Sequence, residues 1–157
     1  MENNSPVPRF SEQALARFVA AEGQTVQKII CHLWVNVMQK DAPVEVIDNV
    51  EITFSGDKRL TIGFDPDTEA LDAIDFDLAS TVTHLKEEFG DKIRLFAIDA
   101  SATKMWQGVV GKELKAVRVT KEDGGYRADA VVLDFGDEKR EISSASLDGL
   151  IIDFYEE

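Results

Sequence analysis

The chain has 157 residues, 44% of them hydrophobic, with 17 basic side chains against 30 acidic and a formal net charge of −13. That length suits one ordinary domain with a real core and argues against global disorder. The charge argues against nonspecific nucleic-acid binding, no apolar run approaches the ~18 residues of a membrane helix, and MENNSPVPRF lacks the regions of a signal peptide. One cysteine, Cys31, leaves no intrachain disulfide and no cysteine-based zinc cluster. The expectation is a soluble, cytoplasmic, single domain over 1–157, without nucleic-acid or membrane partners.

Residues 1–9 hold two Pro and two Asn and predict a flexible start. Ser11 is placed as an N-cap, Phe10 and Leu15 as a hydrophobic staple, and Gly23 as the residue after the helix. Between them, Ala14, Leu15, Phe18 and Val19 share one face, which predicts a helix from Glu12 to Glu22. Residues 25–38 fit two patterns. Val26, Ile29, Ile30, Leu33, Trp34, Val37 and Met38 make a helical stripe, while Ile29, Cys31, Leu33, Val35 and Val37 make one face of a strand. Six of the fourteen are β-branched, which favours the strand.

Apolar and polar residues alternate over 45–54 and 60–64 around the turn SGDK, predicting a hairpin in which Val50, Ile52 and Phe54 point one way, as do Leu60, Ile62 and Phe64. Asp65-Pro66-Asp67 opens a loop, and Leu71 to Asp77 reads as another short strand. Asp77 is placed to cap a helix from Leu78 to Phe89, with Leu78, Val82, Leu85 and Phe89 as its buried stripe and Gly90 at its end. Ile93–Ile98 reads as a strand, 101–112 as a loop, and 113–121, 127–135, 139–143 and 149–155 as strands. Gly124-Gly125 and Gly136-Asp137 supply the hairpin turns.

Residues 48–59, DNVEITFSGDKR, echo residues 129–140, DAVVLDFGDEKR, at an offset of 81. Asp48/Asp129, Val50/Val131, Phe54/Phe135, Lys58/Lys139 and Arg59/Arg140 coincide, and LDAI at 71–74 resembles LDGL at 147–150. Two related β-meanders, about 26–77 and 113–155, would explain this; so would the shared needs of any tight hairpin. Either way the fold class is α+β, mostly antiparallel β-sheet, with an N-terminal and a central helix.

Chemistry-bearing motifs are sparse. His84 lies off the helical stripe, within reach of Glu88, and reads as solvent-facing. On a strand, His32 and Cys31 face opposite sides, so they cannot form a nucleophilic pair, and Cys31 reads as a small buried residue. No nucleophile elbow or phosphate-binding loop is present, and no catalytic residue or cofactor is indicated. Asp75 and Asp77 would share a strand face, and with Asp99 they are candidate metal ligands for a divalent-metal-dependent hydrolase, the alternative function. The simpler reading is an exposed face with Asp77 as a helix cap. Trp106, flanked by Lys104 and Lys112, is either an interface anchor or a plug over the end of the sheet, and Met105 and Val109 favour the plug. Asp65 and Asp67 are further interface candidates.

Charge is unevenly distributed: residues 1–40 carry +1, 41–91 carry −11, 92–128 carry +4 and 129–157 carry −7. The acidic blocks point to a non-enzymatic module that binds a basic protein partner. In size, charge and architecture the chain resembles bacterial immunity proteins that neutralise toxins, an analogy with no motif behind it.

Overall fold

The first helix starts where a side-chain oxygen can satisfy an amide that no helical carbonyl reaches. In a computed structural model, which describes residues 8–65, 70–145 and 149–156, α1 spans Glu12–Ala21 and Ser11 Oγ accepts the Ala14 N–H at 3.1 Å. Ala14, Phe18 and Ala21 are its buried stripe, and Phe10 meets Phe18 edge-on with ring centres 5.1 Å apart. Val19 does not belong to that stripe. It is 67% exposed, because one step past Phe18 turns the side chain away from the sheet. Most of the expected flexible start, residues 1–7, lies outside the described residues. Pro8 and Phe10 are docked: the Ala128 N–H donates to Pro8 O, and the Phe10 N–H to Tyr126 O.

Four consecutive antiparallel strands follow: β1 (Val26–Asn36), β2 (Val44–Phe54), β3 (Arg59–Asp65) and β4 (Ala70–Ala73). The two-way pattern of residues 25–38 resolves as strand, with the β-branched residues where a pleated surface favours them. The strand expected over 71–77 ends at Ala73. There the Ile74 N–H donates to Thr61 O at 2.9 Å, and the chain leaves β4. It then enters α2 (Leu78–Phe89) and β5 (Ile93–Asp99), which pairs with the free edge of β1. No residue of α2 is fully buried and Val82 is 39% exposed, because the helix packs mainly against one edge strand.

Turns carry the chain from Ala100 to β6 (Ala116–Arg118). The expected strands over 113–121 and 127–135 are interrupted. Lys121–Glu122 (β7) and Gly125–Tyr126 (β8) form a separate small ribbon, and the Arg127 N–H donates to Thr120 O at its base. The second meander is completed by β9 (Ala130–Asp134), β10 (Lys139–Ala145) and β11 (Gly149–Phe154). Thus β1-β2-β3-β4 and β6-β9-β10-β11 have the same antiparallel order. Among the described residues they make, with β5, one nine-stranded sheet that curls into a half-barrel.

The registers refine the internal echo. Ile52 faces Leu60 in the first hairpin, whereas Leu133 faces Arg140 in the second. The second turn is one residue shorter, so Arg140 occupies the place of Leu60 rather than that of Arg59. Phe54 and Phe135 remain equivalent, each donating its N–H back across the turn at 2.8 Å, to Lys58 O and Glu138 O. Farther along, Leu71 faces Phe64 and Leu150 faces Ser144. The counterpart of Leu71 is therefore Leu150. Leu147 and Asp148, the start of LDGL, lie outside the described residues.

The two meanders meet where β11 runs parallel to β2 at Ile47. Gly149 has φ of 70°, and a Cβ there would lie 2.6 Å from Ile47 O, so only glycine fits this seam. Inside the curl, Val50, Ile52 and Phe54 meet Val131, Leu133 and Phe135 in one continuous core. Trp106 joins them at 2% exposure. Its loop is held by Arg140, which donates from Nε to Met105 O at 2.6 Å, pairs with Glu138 at 2.8 Å and lies 4.4 Å above the Phe154 ring. That explains how an arginine fills a core-facing position at 2% exposure: its charge is paired and its donors are satisfied.

Candidate functional site

Alternation along β1 sends Cys31 into the core and puts Ile30 and His32 on the opposite, outer face of the sheet. On β2, Glu51 stands beside Ile30 and Asn49 beside His32; on β3, Gly63 stands beside Asn49. A Cβ at Gly63 would lie 2.7 Å from Ile74 Cδ1, so the glycine lets the segment after β4 lie down across the sheet. Phe76, two residues on, then covers His32 with ring centres 4.5 Å apart. Asp77 follows and caps α2, accepting from the Ser80 N–H and hydroxyl at 3.3 and 3.1 Å.

His32 is 3% exposed and Asn49 is fully buried. His32 Nδ1 lies 2.7 Å from Asn49 Oδ1, and Asn49 Nδ2 donates to Asp48 Oδ2 at 2.8 Å. An ionised carboxylate only accepts, so the amide NH₂ faces Asp48 and its oxygen faces the ring. Nδ1 therefore carries a proton, and in the neutral ring Nε2 carries the lone pair. A β-bulge makes this chain possible: His32 pairs with Asn49 while Leu33 pairs with Ile47, leaving Asp48 as the extra residue. Bulges re-aim side chains, and this one brings together two neighbours that a regular strand would point apart.

Nε2 has no hydrogen-bond partner among the described residues. No buried side-chain nitrogen or oxygen among them lacks a partner, so Nε2 reaches solvent. It does so in a groove of about 420 Å³ lined by Ile30, His32, Glu51, Arg59, Phe76, Asp77, Leu78 and Ala97. The Glu51 side chain is only 15% exposed and is paired at 3.4 Å with Arg59, which is 60% exposed. The site thus offers an imidazole acceptor, two carboxylates and apolar walls.

The candidates from the sequence stand apart from one another. Asp75 is exposed and pairs with Arg17 at 2.9 Å. Asp77 serves α2, and the two do not share a strand face because the strand has already ended. Asp99 accepts the Ser101 N–H at 3.0 Å; the Ser101 side chain and backbone together hold its carboxyl below the usual range. Among the described residues, no three His, Cys, Asp or Glu side chains converge as a metal-ligand set. Asp65 ends β3, and Asp67 lies outside the described residues. Trp106 is in the core, the position the plug reading expects. Burial pushes the neighbouring Cys31 thiol up to about 11, opposed by a hydrogen bond from the Trp106 side chain. His84 is solvent-facing on α2, 3.2 Å from Glu88.

His32, Asn49 and Asp48 escape a reading by motif. Their visible trace is a polar interruption inside each of two apolar strands, His32 in one and Asp48-Asn49 in the other. Only the register and the bulge place them side by side. A second polar feature lies on the outer face of β10 and β11, where Glu141 stands directly opposite Asp153. Neither has a cationic partner among the described residues, and Ile151, nearby on β11, is 42% exposed. No known protein family, curated protein or solved structure matches this chain.

Proposed function

We propose that this protein is a non-enzymatic module that binds a basic protein partner through its acidic surface. The observation that carries the reading is the Glu141–Asp153 pair. Like charges directly opposite on neighbouring strands destabilise a sheet, and in a chain of net charge −13 their repulsion is not offset globally. A cationic side chain from a partner turns that repulsion into attraction, and Ile151 adds apolar area beside it. Complementary charge of this kind speeds association and sets specificity. The test is affinity capture at low and moderate salt, followed by binding of the captured protein to wild type and to the Glu141→Gln/Asp153→Asn double variant. A basic partner whose affinity falls with salt, and falls about tenfold or more in the double variant, is the expected result. Recovery of no basic partner at either salt, or equal binding by the double variant, refutes it.

A further inference from the structure

We infer that the groove over His32 is a binding site for an alkyl guanidinium or ammonium group. His32 is only 3% exposed, yet it lines the groove, and its Nε2, without a hydrogen-bond partner among the described residues and not sealed from solvent, is an acceptor in the neutral ring. Its orientation is fixed by Asn49, which Asp48 fixes in turn, and by Phe76 against the ring. Such an acceptor, held in a fixed orientation and largely enclosed, is pre-organised for a donor.

The remaining lining determines which donor. Glu51 and Asp77 carry two negative charges against the single positive charge of Arg59, so an anion entering the groove meets net repulsion. A neutral donor would leave the excess negative charge uncompensated. A cation bearing several N–H groups can donate to Nε2 and to a carboxylate at once, and charge-assisted bonds of this kind are the strong ones. Ile30, Leu78 and Phe76 give an alkyl stem an apolar bed, and an aromatic face favours a cationic head. Asp77 Oδ1 and Oδ2 already accept from Ser80, but an ionised carboxylate has further acceptor capacity.

The cation has two possible sources, a free amine or a basic side chain of the partner; for the second source, the inference rests on the function proposed above. His32 and His84 are the two histidines of the chain, so the ring ¹⁵N signals of the full-length protein report the site and supply an exposed internal control. Agmatine, butylamine, an acetyl-Gly-Arg-Gly-amide peptide and sodium acetate are titrated separately at constant ionic strength. The expected result is a saturable shift of His32 Nε2 with the cations and not with acetate, while His84 stays still. Asp77→Asn keeps a good N-cap, so it should retain the melting temperature while weakening the cation by about tenfold. Glu51→Gln, of equal shape, should do the same. Tighter binding of the peptide than of the free amines assigns the site to a protein side chain, and the reverse assigns it to a small amine. No saturable shift with any cation, a shift with acetate instead, or unchanged binding in both variants overturns the inference. A captured basic partner beside a silent groove overturns the groove alone; saturable cation binding with no captured partner overturns the partner alone.

Discussion

Cys31 is held where ionisation is costly. Its thiol is raised from an ordinary 9.0 to about 11, chiefly by burial. A group whose folded value lies above its unfolded one contributes stability that is complete below the unfolded value and lost as pH rises through the folded one. The difference in unfolding free energy between wild type and Cys31→Ala should therefore shrink between 9 and about 11, measured by denaturant titration. The native thiol should also resist a disulfide reagent at about pH 8 and react fully once unfolded, since the thiolate is the reactive form. Trp106 shares this environment, and its indole should be shielded from acrylamide in a Trp34→Phe background. Trp106→Ala should cost about 3–5 kcal/mol through lost burial and the cavity left behind. Ready quenching in the folded protein would contradict its placement in the core.

The two hairpins carry the energetic weight at the scale of elements. Phe54→Ala and Phe135→Ala should each cost about 3–5 kcal/mol, and Thr53→Ala much less. Sequence alternation would make Asp134 as tolerant as Thr53, but Asp134 is only 7% exposed, accepts the Gly136 N–H at 2.8 Å and pairs with Arg118 at 2.5 Å. Asp134→Ala should cost about 1–3 kcal/mol by leaving the turn amide unpaired. Burial pushes the Asp134 carboxyl up, but the Gly136 N–H, Arg118 and Lys139 outweigh it and the net shift is downward. Its contribution is present above the ordinary carboxylate range and is lost as pH falls through the lowered value, so Asp134→Asn should flatten the loss of stability below about pH 4. The register shift has its own test. Arg140→Ala should cost about 2–4 kcal/mol, because Met105 O loses a charged donor and the site a filled volume, whereas exposed Arg59→Ala should stay within about 0.5 kcal/mol. Equal losses at 59 and 140 in chemical denaturation would refute the one-residue offset between the turns.

For the molecule as a whole, the critical position is the seam between the meanders. Each meander is a common antiparallel unit, and β11 meets β2 at Ile47, which pairs with Gly149 and Leu150 and which Gly149 approaches closely. Gly149→Ala combines a left-handed backbone conformation with a clash against a backbone oxygen that cannot move without shifting β2. It should cost about 2 kcal/mol or more, read as a lowered melting temperature. Gly124, also at positive φ but with open space around it, should tolerate alanine better, at roughly 1 kcal/mol. Similar losses at both glycines would mean that the seam is not tight.

Local signals account for much of the architecture. The Ser11 and Asp77 caps, the alternation over 45–64 and the β-branched content of 25–38 specify helices and strands through interactions a few residues long, and the echo around Phe54 and Phe135 anticipates the paired meanders. What escapes such signals depends on partners far apart in sequence. Arg140 is buried because a shorter turn moves it into the place of Leu60, and Asp134 because Arg118 and the turn backbone hold it. His32 becomes a polarised acceptor only when a bulge sets it beside Asn49 and Phe76 folds over it. Periodicity fixes which side of a strand a residue faces; tertiary register and covering segments decide what that side meets, and the groove over His32 exists only at that level.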